Sequence, residues 1–331
     1  MKANRSNALF IFFGLLMLIT CCAPQLKYDI IIKDGFVIDG TVNPGVYTDV
    51  GLKDDKIIAI GKLKNASGKR VIDATGYYVV PGFIDPHTHA AAGLSSPELS
   101  NARAYLAQGV TTVVINPDGS GAIDLDSQRQ RLINDGLGVN VGQLVPHGAI
   151  RRNVIGLDNR EASPEELEAM KSMVEVAMEY GAFGLSTGLY YTPGIYSPTW
   201  EIIELCQVVA RHGGVHQSHI RDESDYGIGL MASVEEIIEI SKATGVTGIV
   251  THIKALGPSV WGTSSDITKM INRARGEGLE IYTDQYPYEA SSTHLVAALI
   301  PAWVREGGES EMRKRMEDPA LKAAIASEVS E

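Results

Sequence analysis

Cysteine is scarce in this sequence, with three in 331 residues, and two of them, Cys21 and Cys22, are adjacent. That count excludes a disulfide framework in any compartment. Positive charge is also short: 29 Lys and Arg stand against 40 Asp and Glu, a net charge of −11 at pH 7. Such a balance disfavours nucleic acid and anionic membrane surfaces as partners. Low-complexity segments and motif-level repeats are missing too. What remains is a globular composition, 44% hydrophobic and 21% charged, with length enough for a large barrel and a small extra domain.

The long apolar run lies at the start. Lys2 and Arg5 precede the stretch Ala8 to Thr20, which is too short and wrongly flanked to span a membrane but is arranged as an export signal. It leads into Leu18-Ile19-Thr20-Cys21, which resembles the bacterial lipoprotein cleavage box. The expectation is a signal peptide over residues 1–22, export to the periplasm or cell envelope, and an N-terminal lipid anchor as the sole membrane contact. An ordinary secretory peptide is the alternative. Cys206 falls in the helical pattern WEIIELCQVVARHGG and reads as a buried structural thiol.

Two zones follow. Over residues 23–79, short alternating runs (YDIIIKDGFVIDG, YTDVGLKDDKIIAIG, KRVIDATGYYVV) are broken by Asp-Gly, Asn-Pro-Gly and Asp-Asp turns, which predicts a small β-domain of antiparallel hairpins. Over residues 80–331, apolar strands alternate with amphipathic helices, the pattern of parallel βα units. Strand ends are predicted at His87, Asn116, His147, Thr187, His219, His252 and Asp284. The fold class is therefore α/β, a (β/α)8 barrel short of its eighth strand, and the sequence reads as truncated within helical material at its C-terminus. Ser163 and Glu166 form a capping box with Pro164 at the first helical position, closed by Gly181, and Ser233 with Glu236 is read the same way for a helix ending at Gly245.

The strand ends carry the chemistry. His87 and His89 are two residues apart after an apolar run, so both can face one metal ion. His219 and His252 each close their own strand-like run, and a parallel barrel brings such ends together at one mouth. Four of eight histidines placed this way point to a zinc-type centre and to hydrolysis of an amide or related C–N bond. His147, His212, His216 and His294 read instead as core or loop residues.

Taken together, GFIDPHTHA, GAFGLSTGLYYTPGIYS, HQSHIRDE, THIKALG and DQYPYEASST resemble the amidohydrolase superfamily, and within it the N-acyl-D-amino-acid deacylases (D-aminoacylases), from Tyr28 to about Leu295. The resemblance implies a barrel joined to a small β-sandwich, of which residues 23–79 are half, and hydrolysis of the amide of N-acyl-D-amino acids, small molecules, to D-amino acid and carboxylate. It implies one tight zinc site on His219 and His252 and a second, weaker position at His87 and His89. This sequence departs from the family at Asn116-Pro117-Asp118-Gly119, where typical members have Asn-Cys-Gly with a ligating cysteine; Asp118 is either a replacement ligand or a plain turn residue. The family's catalytic aspartate belongs to an eighth strand, beyond Glu331. Tyr191, Lys254, Arg221, Ser186, Tyr286 and Ser291 lie just past strand ends as substrate-handling candidates, with Arg221 and Lys254 the expected carboxylate partners. A related amidohydrolase acting on dipeptides, cyclic amides or N-carbamoyl amino acids is the alternative enzyme, and a non-catalytic metal and substrate binder is the alternative of another class.

Overall fold

The computed structural model describes residues 27–330, which divide into two units at Pro81 and Gly82. The expected export signal and lipid-anchor box, residues 1–22, lie outside the described residues. The first unit is a sheet of β1 (Lys27–Val37), β2 (Val46–Lys53), β3 (Lys56–Gly61), β4 (Ser67–Asp73) and β5 (Tyr78–Val79). Its strand order is β3-β2-β1-β4, with β5 also paired to β1. Ile31, Val37 and Val50 supply its buried face. Asp54, at φ 55°, makes the turn between β2 and β3, a left-handed conformation that Asp tolerates because its short side chain bonds locally.

Only part of this sheet is made of hairpins. The β1–β2 and β2–β3 pairs are antiparallel, but β4 and β5 both run parallel to β1. After the meander the free hydrogen-bonding edge in the middle of the sheet is that of β1, and the chain returns to it through residues 62–66 without reversing direction. Turn residues look the same in a sequence whichever edge they lead to.

The second unit holds β6 (Phe83–Asp85), β7 (Val110–Ile115), β8 (Asn140–Pro146), β9 (Gly184–Gly188), β10 (Val215–His219), β11 (Thr247–Val250) and β12 (Ile281–Thr283). All pair in parallel, in sequence order, as a seven-stranded sheet. The sheet is curled: Gln217 Nε2 on β10 donates to Pro86 O at the end of β6, 2.7 Å away, although three strands lie between them in the sheet. Helices Pro164–Glu179, Thr199–Arg211 and Leu230–Thr244 cover its outer face, with Met170, Val174, Ile202, Leu205, Val234 and Ile237 packed on Leu185, Val250 and Ile281. Cys206 is fully buried in this layer, where burial pushes its thiol up and leaves it inert.

The first of these helices starts as expected, with Ser163 and Glu166 exchanging both capping-box bonds and Pro164 at its first position. The third does not. It begins at Leu230 after Gly229, so Ser233 is already inside it, its Oγ bonded to Gly229 O at 2.9 Å and accepting from Asp222 N at 2.9 Å. Glu236 is thereby free to face Arg221.

Two buried polar groups lie inside the sheet and its helices. His147, Arg151 and Glu201 are all fully buried, Glu201 Oε1 lying 2.9 Å from His147 Nε2 and 3.0 Å from Arg151 Nε. His216 on β10 is also fully buried, its Nε2 2.9 Å from Thr187 Oγ1 and its Nδ1 without a partner. Burial, assisted by His147, pushes the His216 imidazole down from 6.5 to about 3. Between those two values the unfolded chain binds one proton more than the folded one, so this residue makes stability rise with pH across the window and plays no part above it. His216→Gln is expected to flatten the loss of stability on acidification by up to about 1.4 kcal/mol per pH unit between about pH 6 and 4. Urea titrations at each pH measure the slope, and an unchanged slope would refute the assignment.

Candidate metal centre

The ligand candidates are delivered by the ends of four strands, β6, β7, β10 and β11. Asp85 closes β6, and its Oδ1 accepts from His87 N at 3.2 Å, turning the chain out of the strand. His87 and His89 therefore sit just beyond β6, not on it. Thr88 between them is buried and ties down to Val114 O of β7 through its N–H (3.0 Å) and hydroxyl (2.8 Å). With Thr88 facing one way, both histidines face the other: His87 Nε2 lies 3.6 Å and His89 Nε2 3.2 Å from the Asp118 carboxylate. The His89 side chain is 70% exposed, the outermost of the set.

Asp118 follows β7 through two left-handed residues, Asn116 (φ 63°) and Asp118 itself (φ 55°). The Asn116 amide exchanges two hydrogen bonds with Gln128, at 2.9 and 3.0 Å. Ser186 Oγ donates to Asn116 O at 2.6 Å and accepts from Gly119 N at 3.2 Å. The turn lies directly on β9: a Cβ at Gly188 would sit 2.2 Å from Asp118 O, so only glycine permits the approach. Held in this way, Asp118 is 8% exposed, and its Oδ1 is buried without a hydrogen-bond partner. Burial alone would raise its carboxyl, but His252, His87 and His89 hold it far below the usual carboxylate range.

His219 ends β10 and His252 follows β11, with Nδ1 of the first 2.8 Å from Nε2 of the second. Burial pushes His219 down to about 4. The same burial acts on His252, but the Asp118 and Glu223 carboxylates outweigh it and raise that imidazole to about 9. His252 N donates to Asp284 Oδ1 at 2.5 Å, while Asp284 Oδ2 is buried and unpartnered and burial raises its carboxyl. The rings of His87 and His252 are 5.0 Å apart, across the mouth of the curled sheet.

Two donor groups result, His87 with Asp118 and His252, and His219 with Glu223 and His252, each with its atoms within 4.8 Å of one another. Nitrogen and carboxylate donors in this mixture suit a borderline divalent ion such as zinc. A buried carboxylate oxygen without a hydrogen-bond partner, Asp118 Oδ1, is what such a donor set shows when it is arranged to meet a cation. Glu223 was not anticipated from the sequence. It stands four residues after His219, its Oε1 3.1 Å from His252 Nδ1 and paired with Lys254.

The substrate candidates fare unequally. Tyr191 lies at the centre, its ring 4.6 Å from that of His219 and its hydroxyl 3.2 Å from Thr293 Oγ1. Lys254 is there too, with Nζ 2.9 Å from His252 Nδ1 and 5.6 Å from the Tyr286 ring. Tyr286 stands 6.5 Å from His252, and Ser291 is exposed. Arg221 and Ser186 are placed differently from the expectation. The carboxylate foreseen for Arg221 comes from within the chain: Glu236 takes Nε at 3.0 Å and Nη2 at 2.7 Å, and Ile195 O and Ser197 O take the rest. Ser186 is fully buried under the Asp118 turn, with no face toward a ligand.

The amidohydrolase family's sequence pattern matches residues 70–247, more than half of the chain. The chain belongs to the amidohydrolase family. It is 35% identical over 294 residues to the N-acyl-D-glutamate deacylase of Alcaligenes xylosoxydans xylosoxydans, a match covering 82% of this chain and 59% of that protein. Among solved structures, N-acyl-D-glutamate deacylase from Bordetella bronchiseptica, complexed with zinc and a phosphonate mimic of the tetrahedral intermediate, is similar with a TM-score of 0.76 at 35% identity, covering 83% of this chain and 62% of that one. A D-aminoacylase described with a binuclear metal centre is similar with a TM-score of 0.72 at 33% identity, over 79% of this chain and 59% of that one. This amidohydrolase thus spans about three-fifths of the length of the relatives it matches.

Proposed function

We propose that this amidohydrolase is a zinc-dependent hydrolase of N-acyl-D-amino acids, releasing the D-amino acid and a carboxylate. The observation that carries the reading is the convergence of His87, Asp118, His219, Glu223 and His252 from the ends of four strands into two donor groups that share His252. The 33–35% identity with deacylases of such substrates supports it. His219, His252 and Glu223 would hold a tight zinc ion, and His87, His89 and Asp118 a second, weaker one. A bound zinc supplies Lewis acidity, polarising the amide carbonyl and making water acidic, with a pKa of about 7.

The chain's own side chains do the rest. Burial pushes the Tyr191 hydroxyl up to about 12, so at neutral pH it remains a donor, placed over His219 to hold the amide oxygen. Lys254 stands between Glu223 and the Tyr286 ring and orients the substrate from the opposite side. Asp284, with one oxygen fixed on His252 N and the other unpartnered, is placed to carry a proton to the leaving nitrogen. The zinc-loaded protein should release D-amino acid from N-acetyl-D-glutamate or N-acetyl-D-methionine and not from the L forms. Turnover confined to hydantoins or dipeptides would overturn the substrate class.

We also propose export and lipid anchoring through Cys21 or Cys22, which the sequence of residues 1–22 alone supports. Lipid labelling should disappear in Cys21→Ser/Cys22→Ser, and an unlabelled, wholly soluble unaltered protein would sink the idea.

A further inference from the structure

Three largely buried cations of the barrel unit find carboxylates inside the chain: Arg151 with Glu201, Arg221 with Glu236 and Lys254 with Glu223. Arg305 does not. It closes the short helix Ala302–Arg305, is 7% exposed, and has a buried Nε without a hydrogen-bond partner. Among the described residues no carboxylate pairs with its guanidinium. The adjacent Glu306 faces elsewhere, its Oε1 accepting from Asn159 N at 3.4 Å. A guanidinium stays charged when buried, and a buried cation left unpaired is costly unless an anion arrives to meet it.

The position of this helix says where such an anion would come from. Tyr196 Oη donates to Ala302 O at 2.8 Å, fastening the helix to the segment that follows β9. That same segment carries Tyr190 and Tyr191, whose rings lie 5.7 and 4.6 Å from the His219 ring. From behind, Arg315 Nη1 donates to Val304 O at 3.0 Å and to Glu306 O, so the helix is held on both sides. The charge of Arg305 is felt by the Tyr190 and Tyr196 hydroxyls, and burial with no counterion lowers its hold on its proton.

We propose that Arg305, on the helix that Tyr196 fastens to the segment of Tyr190 and Tyr191, is the subsite that receives a carboxylate of the substrate. The planar N–H fork of arginine matches a carboxylate with two parallel hydrogen bonds. This assignment rests on the hydrolase reading above for the identity of the ligand. An N-acyl amino acid offers its α-carboxylate, and an acidic one offers its side-chain carboxylate as well; the chemistry of the subsite is the same for both.

The test is calorimetric binding of glutarate and of its uncharged analogue glutaramide to metal-free protein, where no turnover intervenes. The unaltered protein should prefer glutarate at least about tenfold, the gain of one charge-assisted pair. Arg305→Gln should erase that preference and Arg305→Lys should retain part of it. Should the glutamine variant fail to fold, hydrogen exchange on the unaltered protein decides, since glutarate and not glutaramide should slow exchange across the Ala302–Arg305 segment. Equal affinity for the two compounds, or no slowing in that segment, overturns the proposal. Turnover separates the two carboxylates: KM rising in Arg305→Gln for N-acetyl-D-glutamate and N-acetyl-D-norleucine alike assigns the α-carboxylate, and KM rising for the glutamate alone assigns the side chain. Arg305-dependent glutarate binding without turnover of any N-acyl-D-amino acid sustains the subsite and overturns the hydrolase reading instead.

Discussion

Replacing His219 and His252 together by alanine is expected to strip the protein of zinc. The two imidazoles touch, Nδ1 to Nε2 at 2.8 Å, and both are buried. Both donor groups of the mouth lose a member, because His252 belongs to each. Loss of even an outer partner of a ligand costs about 10–100-fold in metal affinity, so loss of two ligands should exceed about 100-fold. Elemental analysis of protein purified without chelators measures it, alongside turnover of an N-acyl-D-amino acid. Equal zinc in the unaltered and doubly altered proteins would show that the metal, if any, sits elsewhere.

Asp118→Asn should lower turnover by about two orders of magnitude or more, with a fall in zinc content at saturating His219 and His252 sites. Asparagine keeps the backbone, since it adopts the φ of 55° as readily as aspartate, and removes only the charge that four imidazoles face. Asp54→Asn is the matched control: the same backbone angle, in the turn between β2 and β3 of the other unit. If both variants retain full activity and metal, Asp118 is a turn residue and its carboxylate has no part in the chemistry.

The strand ends were legible because apolar runs and the residues after them are local: Asn116, His147, Thr187, His219 and Asp284 fall at or within one residue of the ends of their strands. What was lost is what depends on distant partners. Arg221 looks like a ligand-facing cation until Glu236, on the helix that follows, is seen to take it. That same glutamate, with Ser233, imitates a capping box at the right spacing, while the helix starts earlier at Leu230. Glu223 was hidden by its neighbour, because beyond a strand end the alternation of faces stops and nothing in Arg221-Asp222-Glu223 says which acid turns inward. Parallel β4 was lost for a similar reason, since edge choice leaves no mark on a turn.

The other acid of that pair has its own consequence. Asp222 Oδ1 takes Ser224 N at 2.8 Å, its Oδ2 takes Gly227 N at 2.6 Å and Gly229 N at 3.1 Å, and its own N–H is held by Ser233 Oγ. A loop without this hub would sample many conformations, and fixing each residue on ligand capture would cost about 1–2 kcal/mol of conformational entropy. Here that ordering belongs to folding. Glu223 therefore meets an arriving cation already immobilised, and the affinity of the site registers its contacts with little deduction for freezing the chain that bears them.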